Sequence, residues 1–463
     1  MSRRFAFDSP DLVRPTSFGF QAAFVCFLLT ALFCTLVDLE SIRPSWKEEP
    51  DWTNGYTPPL PPSMQDDVTL HSSTCRREFP LLYAQLEENE VSWRAKGGLT
   101  LHHVDEAWER CANGCARVII QDGQVFLRGY AKDWQSRLAS MLGLLQTAIE
   151  SASWEEKQQL NNVDFVLNGA DKPEHGGEGG DGAAWVLCKK VKAPPGQYLA
   201  PDFSFGAWPE AGIASYREFR RDARKVNKQL PWDRKEDKAI WRGAMLKHIG
   251  VPIRDNLWEV THQPGFMDLF DVKETNFWDQ GPQFAPIEPP VYFCKNKYLL
   301  HTEGNAYSGR SKFLLGCGSA VIIHRLEWSQ HFHPALVTAS AHADHNVIQS
   351  PGEMWHGLPT LMEQLRTSDE GERVAEAANR TLTNRYLTPA SISCYLRAAL
   401  MSYGSIMARS TWPNGEGAQV IEGGGVKPGA GARATVTLKD LGVQGDIEYN
   451  VWLNLGQPQW PPT

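Results

Sequence analysis

An uninterrupted apolar run stands near the start of the chain. Residues 17–37, SFGFQAAFVCFLLTALFCTLV, carry no charge and reach the roughly 20 residues a helix needs to cross a bilayer. The pattern predicts an uncleaved anchor rather than a signal peptide, whose apolar core would span about 7 to 15 residues before a small-residue cleavage site. Arg3, Arg4 and Arg14 precede the run, and Asp38 and Glu40 follow it. The positive-inside rule therefore puts residues 1–16 in the cytosol and the rest in the lumen. Residues 38–74, with Pro58, Pro59, Pro61 and Pro62, predict an extended stem.

Beyond the stem the pattern alternates between helical and strand periods. HHVDEAWERCANG predicts a helix, and ARVIIQ and GQVFLRG predict strands joined at Asp122-Gly123, a turn dipeptide suited to a hairpin. Residues 133–152 predict a second helix, and VDFVLNGAD a buried strand that runs into the glycine-rich stretch DKPEHGGEGGDG. A polar helix follows over residues 216–229, then strand runs in KAIWRGAM, KYLLHTEG and SAVIIH, and a mostly helical stretch over 358–400. Such alternation implies an α/β layer, whose loops at the carboxyl ends of the strands are the usual ligand sites. Residues 401–463, with GEGAQV and EGGGVKPGAGAR, predict a flexible appendage with a strand or two.

Composition narrows the function. The net charge of -8 removes the broad basic surface that nucleic-acid binding needs, so any anion site is local. A lumenal topology places Cys75, Cys111, Cys115, Cys188, Cys294, Cys317 and Cys394 where disulfides persist, and their odd number leaves at least one unpaired or bonded to another chain. Cys111 and Cys115 lack a second ligand pair at zinc-finger spacing, which favours a disulfide or a buried thiol over a metal site. Asn379-Arg-Thr381 is the chain's one N-glycosylation sequon, within a helix-like stretch.

The segment 297–324, KYLLHTEGNAYSGRSKFLLGCGSAVIIH, predicts a strand, a turn around residues 304–309, a short helix and a second strand. A helix start after such a turn suits a diphosphate, with Arg310 and Lys312 supplying charge. The same residues nearly fit the P-loop pattern, but Arg310 replaces its lysine and is a poor substitute in that geometry.

VDFVLNGAD, IWRGAM, CKNKYLLHTEGNAYSGRSKFLLGCGSAVIIH and LEWSQHFHPALV together resemble the capsule-associated-protein family of glycosyltransferases, glycosyltransferase family 90. That family includes fungal xylosyltransferases and animal protein O-glucosyltransferases of the Rumi and KDEL type, and the resemblance covers residues 75–399. It implies an α/β architecture of GT-B type, two Rossmann-like domains facing a cleft, here an acceptor-side domain over 75–200 and a nucleotide-sugar domain over 201–400. It also implies inverting transfer from a UDP-sugar, xylose or glucose, to a glycan or glycoprotein hydroxyl, with no obligatory metal. The family's base falls on Asp171, with Asp164 as a structural rival inside the strand. Donor contacts fall on Ala244, Arg254, Asn305, Ala306, Tyr307, Ser308, Gly309 and Arg310, with Arg242 sharing the charge or anchoring the loop. Acceptor contacts fall on Trp208 and Glu210. The family pairs Cys294 with Cys317 and Cys75 with Cys394, leaving room for one further bridge among Cys111, Cys115 and Cys188.

The chain departs from the animal branch in its anchor, in its last residues QWPPT, which are not KDEL-like, and in VTASAHADHNVIQS after the HPAL segment. These departures imply Golgi retention by the membrane span ahead of residence in the endoplasmic reticulum, and a glycan acceptor ahead of a protein one. A catalytically silent, tethered carbohydrate-binding protein is the reading from another class.

Overall fold

The computed structural model describes residues 55–111, 114–130, 135–160, 163–172, 182–213, 215–276, 279, 281–407 and 447–449. Asp122 and Gly123 both adopt positive φ, 51° and 69°, the two-residue turn that matches strand twist. They join β1 (Cys115–Gln121) to β2 (Gln124–Tyr130) as an antiparallel hairpin. β3 (Val163–Asn168) pairs antiparallel with the other edge of β1, and β4 (Ala184–Trp185) runs parallel to β3. This first sheet therefore has an antiparallel centre where a Rossmann-like layer is parallel, because a two-residue turn can return the chain only in the opposite direction. Leu138, Met141, Leu142, Leu145 and Ile149 are buried on one side of the helix Gln135–Glu150, at the three- and four-residue spacing of an apolar helix face.

A short β5 (Lys189–Lys190) leads toward the second sheet. That sheet contains β6 (Glu236–Gly243), β7 (Phe270–Glu274), β8 (Asn296–His301) and β9 (Ala320–Ile323). β10 (Trp328–Ser329) pairs with β5, and β11 (Ile348–Gln349) completes the second sheet in the order β11-β9-β8-β6-β7, all parallel. Ala239, Trp241, Tyr298, Leu300 and Ile322 fill a core on one face. Ile240, Leu299, Val321 and Ile323 face a larger core shared with the first sheet, the alternation expected of strands covered on both faces. The chain goes from β6 to β7 on one side and then to β8 on the other, so the order reverses between β6 and β8. That reversal places a crevice outside their carboxyl ends.

The helix Pro389–Ile406 returns to the first sheet, where Tyr395 donates to the Leu199 carbonyl at 2.7 Å and Tyr403 to that of Ala183 at 2.7 Å. It runs past residue 401, so the expected appendage begins later. Within that appendage β12 (Ile447–Glu448) pairs antiparallel with β2, and Tyr449 is buried. The expected stem is also corrected from residue 55 onward. Leu60 is in the core, Thr57 N–H donates to Asp344 at 3.0 Å, and Arg385 donates to the Pro58 carbonyl at 3.0 Å. The prolines start helices here, as at Pro62–Gln65, because a missing N–H costs nothing in a first turn. The predicted anchor at 17–37 lies outside the described residues, among which no helix is long and apolar enough to cross a membrane.

Candidate active site

The predicted turn lies between β8 and the helix Ser311–Leu315, at the reversal of strand order. It is closed by Gly304 N–H donating to the Ala306 carbonyl at 2.9 Å. Arg254, in the first turn of the helix Pro252–Thr261, donates through Nε to the Glu303 carbonyl at 2.9 Å and through Nη1 to the Ala244 carbonyl. It thus ties the carboxyl ends of β6 and β8 together. A side chain at Gly304 would place Cβ 2.6 Å from Arg254 Nη2, so only glycine leaves room for this guanidinium. Arg310 donates to the Arg242 carbonyl and lies over the Phe293 ring at 5.8 Å.

Neither Arg254 nor Arg310 has a carboxylate within ion-pair distance among the described residues; their hydrogen-bond partners are carbonyl oxygens. Burial pulls the Arg310 pKa down to about 10, and burial with the nearby Arg310 charge does the same to Arg254. Both remain cationic at neutral pH, which makes the turn a place short of negative charge. A diphosphate would supply it, and guanidinium groups grip two phosphate oxygens at once.

Other expected residues take different posts. Arg242 donates to Asp271 Oδ2 at 2.6 Å and to the Asp271 carbonyl at 2.6 Å, so it braces β6 against β7 and offers its carbonyl, not its charge, to Arg310. Lys312, expected to face phosphate, is fully buried against Asp202 at 2.6 Å and donates to the Gly309 carbonyl at 2.8 Å. It holds the turn from beneath. Ser311 is buried and donates to Gln330 at 3.2 Å, where a P-loop would turn this hydroxyl toward the nucleotide's cation. Asn305 is exposed, Ala306 and Tyr307 are buried, and Ser308 and Gly309 are partly buried.

Asp171 lies beyond the carboxyl end of β3, after a bend in which Ala170 N–H donates to Asn168 Oδ1 at 2.8 Å. Arg137 donates to Asp171 Oδ1 at 2.8 Å and to the Gly169 carbonyl at 3.2 Å. No donor engages Oδ2 among the described residues, and the side chain is 43% exposed. Asp164 differs in every respect: it is buried in β3, held by Arg117 at 3.0 Å and Arg128 at 3.0 Å. It is the structural carboxylate of the two.

The base side and the donor turn meet at Cys188. Its thiol donates to the Asp171 carbonyl at 3.3 Å, and the Tyr307 backbone of the donor turn favours its ionised form. Burial pushes this thiol up to about 12. On the acceptor side, Arg137 lies over the Phe203 ring at 4.6 Å and Trp208 packs edge-on against the same ring at 5.5 Å. Glu210 accepts a hydrogen bond from Ser136. Sequence reasoning missed Arg137, which has no motif around it, and the Asp202–Lys312 pair, whose partners are far apart in the chain. Cys188 had only a weak signal, being one of three cysteines, with Cys111 and Cys115, outside the expected pairs.

The family model for glycosyl transferase family 90 matches residues 71–423. The chain belongs to that family. It is 26% identical over 210 residues to protein O-glucosyltransferase 1 of Homo sapiens and of Bos taurus, covering 43% of this chain and 50% of each relative. It is 25% identical over 203 residues to the O-glucosyltransferase rumi homolog of Aedes aegypti, covering 42% of this chain and 48% of that one. The chain thus spans about half the length of the curated relatives it matches. A solved structure of Anabaena HepE in complex with UDP overlaps 38% of this chain and 52% of its own at 12% identity, with a TM-score of 0.23, a likeness too distant to carry argument. The pairings implied by the family are present, Cys75–Cys394 and Cys294–Cys317, with a third bridge, Cys111–Cys115. Cys188 is the free cysteine among the described residues.

Proposed function

We propose that this family 90 chain is an inverting glycosyltransferase of GT-B type that moves a sugar, xylose or glucose, from UDP to a glycan hydroxyl. The observation that carries the reading is the pair Arg254 and Arg310, two cations at the strand-order reversal whose described hydrogen-bond partners are all carbonyl oxygens. In the reaction the acceptor oxygen forms a bond to the anomeric carbon. The bond from that carbon to the β-phosphate oxygen breaks, and its electron pair leaves with UDP. Asp171 Oδ2 takes the acceptor proton, while Arg137 holds Oδ1, which divides the carboxylate between orientation and proton transfer. The arginines stabilise the charge that develops on the leaving diphosphate, the largest electrostatic task in the step. They do so without a metal, and chelation by EDTA is expected to leave the rate within about twofold.

Trp208 and Glu210 are assigned to the acceptor, with Trp208 as an apolar platform for a sugar ring. A protein hydroxyl is the second reading, favoured by relatives named protein O-glucosyltransferase. The site works in the Golgi lumen, held to the membrane by residues 17–37. A thermal-shift screen of UDP-glucose, UDP-xylose and other UDP-sugars tests the donor. The correct one at a hundredfold excess over its Kd stabilises the fold by about 2.7 kcal/mol. Stabilisation by none of them, and none by UDP, would contradict the reading.

A further inference from the structure

A cavity lies apart from the donor and acceptor residues. It is a cleft of about 780 Å3 between the segment after Gly55, the end of the helix Tyr216–Gln229, and the helix Glu370–Ala378 with its π-helical continuation Asn379–Tyr386. Leu60, Pro231 and Trp232 line one part, and Asn227, Glu372 and Glu376 another. The cleft's cations hydrogen-bond to neutral oxygens. Lys235 Nζ donates to the Cys294 carbonyl at 2.7 Å, the Cys317 carbonyl at 2.8 Å and Ser319 at 2.9 Å, and Arg224 donates to Gln65 at 2.9 Å. Glu372 and Glu376 are exposed. With charges of both signs, planar amides and an apolar ring face along its walls, the cleft suits a neutral sugar.

Asn379 also lines this cleft, and it heads the chain's one sequon, Asn379-Arg-Thr381. Its side chain is exposed, and Oδ1 accepts from Asn384 Nδ2 at 3.1 Å. That bond leaves Nδ2, the atom an N-glycan occupies, free of it. Thr381 is buried, donating to the Ala377 carbonyl at 2.8 Å and accepting from Asn346 Nδ2 at 2.9 Å. The folded chain cannot present the sequon in extended form, so attachment must precede folding. Three disulfides place that folding in an oxidising compartment, where sequons are used.

We propose that Asn379 carries an N-linked glycan whose innermost sugars lie in this cleft. The donor is a lipid-diphosphate-linked oligosaccharide. A bond forms between Asn379 Nδ2 and its anomeric carbon, the bond from that carbon to phosphate breaks, the electron pair leaves with the lipid diphosphate, and the amide gives up one proton. The seated glycan covers the apolar wall at Trp232 and joins the segment after Gly55 to the π-helical turn. The proposal does not depend on the sugar-transfer reading, since it concerns different residues and an earlier step.

The test uses the full chain expressed in a eukaryotic host and extracted from its membranes with detergent. Peptide mass spectrometry after peptide-N-glycanase digestion of denatured protein should show Asn379 converted to Asp, and Asn379→Gln should lose that glycan. Release from the native protein should be at least about tenfold slower than from the denatured one, the protection that about 1.4 kcal/mol of seating gives. Trp232→Ala, and separately Glu372→Ala with Glu376→Ala at exposed positions, should keep the glycan and bring native release toward the denatured rate. An unmodified Asn379 overturns the proposal. Equal release from native and denatured protein, or protection unchanged in both cleft variants, overturns the seating.

Discussion

Arg254 and Arg310 show how a residue's function can be read from what it lacks. Each carries a full charge in a partly buried place and hydrogen-bonds only to carbonyl oxygens, so an incoming diphosphate gains charge-assisted hydrogen bonds worth about 1.5–3 kcal/mol each. Arg254→Ala or Arg310→Ala should raise the Kd for UDP by about 10- to 150-fold, measured by calorimetry. Gly304→Ala should mimic Arg254→Ala while leaving the thermal midpoint nearly unchanged, because its Cβ meets Arg254 Nη2 rather than the core. A pH effect belongs to this scale too. Burial lowers His324 to about 4 and His331 to about 3, so the unfolded chain binds more protons than the folded one below about pH 6.5. Stability should therefore fall as pH drops from about 6.5 toward 4, by up to about 3 kcal/mol for each histidine. Glu303, pushed up by burial to about 7, works in the opposite sense between about 4.5 and 7 and offsets about one of them. Urea titrations from pH 7 to 4.5 check the sign, and His331→Asn should flatten the slope.

Among the elements, the donor turn was the most legible part of the sequence. Gly304, Gly309 and Arg310 mark a strand–turn–helix that the structure contains, because turn glycines and a period-two apolar run are local signals. The posts of its side chains were not legible. Lys312 looked like a phosphate ligand by position, but its partner Asp202 is 110 residues away, and no local pattern reports such a pair. Lys312→Met leaves Asp202 buried and uncompensated and should cost about 3–5 kcal/mol in urea unfolding. Replacing both with leucine should recover most of that loss. The hairpin at Asp122-Gly123 was also legible, yet the direction it imposes on the first sheet went unread, since periodicity names strands and not their partners. The stem was misread beyond residue 55 because proline marks both extended spacers and helix starts.

The whole molecule divides the chemistry between two sheets. The carboxylate assigned to proton transfer follows β3, the cations assigned to the leaving group follow β6 and β8, and Cys188, bonded to the Asp171 carbonyl, feels the Tyr307 backbone of the donor turn. The family motifs identified the separate pieces from sequence, while their meeting at Cys188 and the Arg137 hold on Asp171 needed coordinates. The most direct test of this division is Asp171→Asn, assayed for UDP release at saturating donor and acceptor and, in parallel, for UDP binding. The account predicts a rate lower by about 100- to 10,000-fold, the usual share of a general base, with the Kd for UDP unchanged within about threefold because the arginines are untouched. An Asp171→Asn enzyme as fast as the wild type would contradict it.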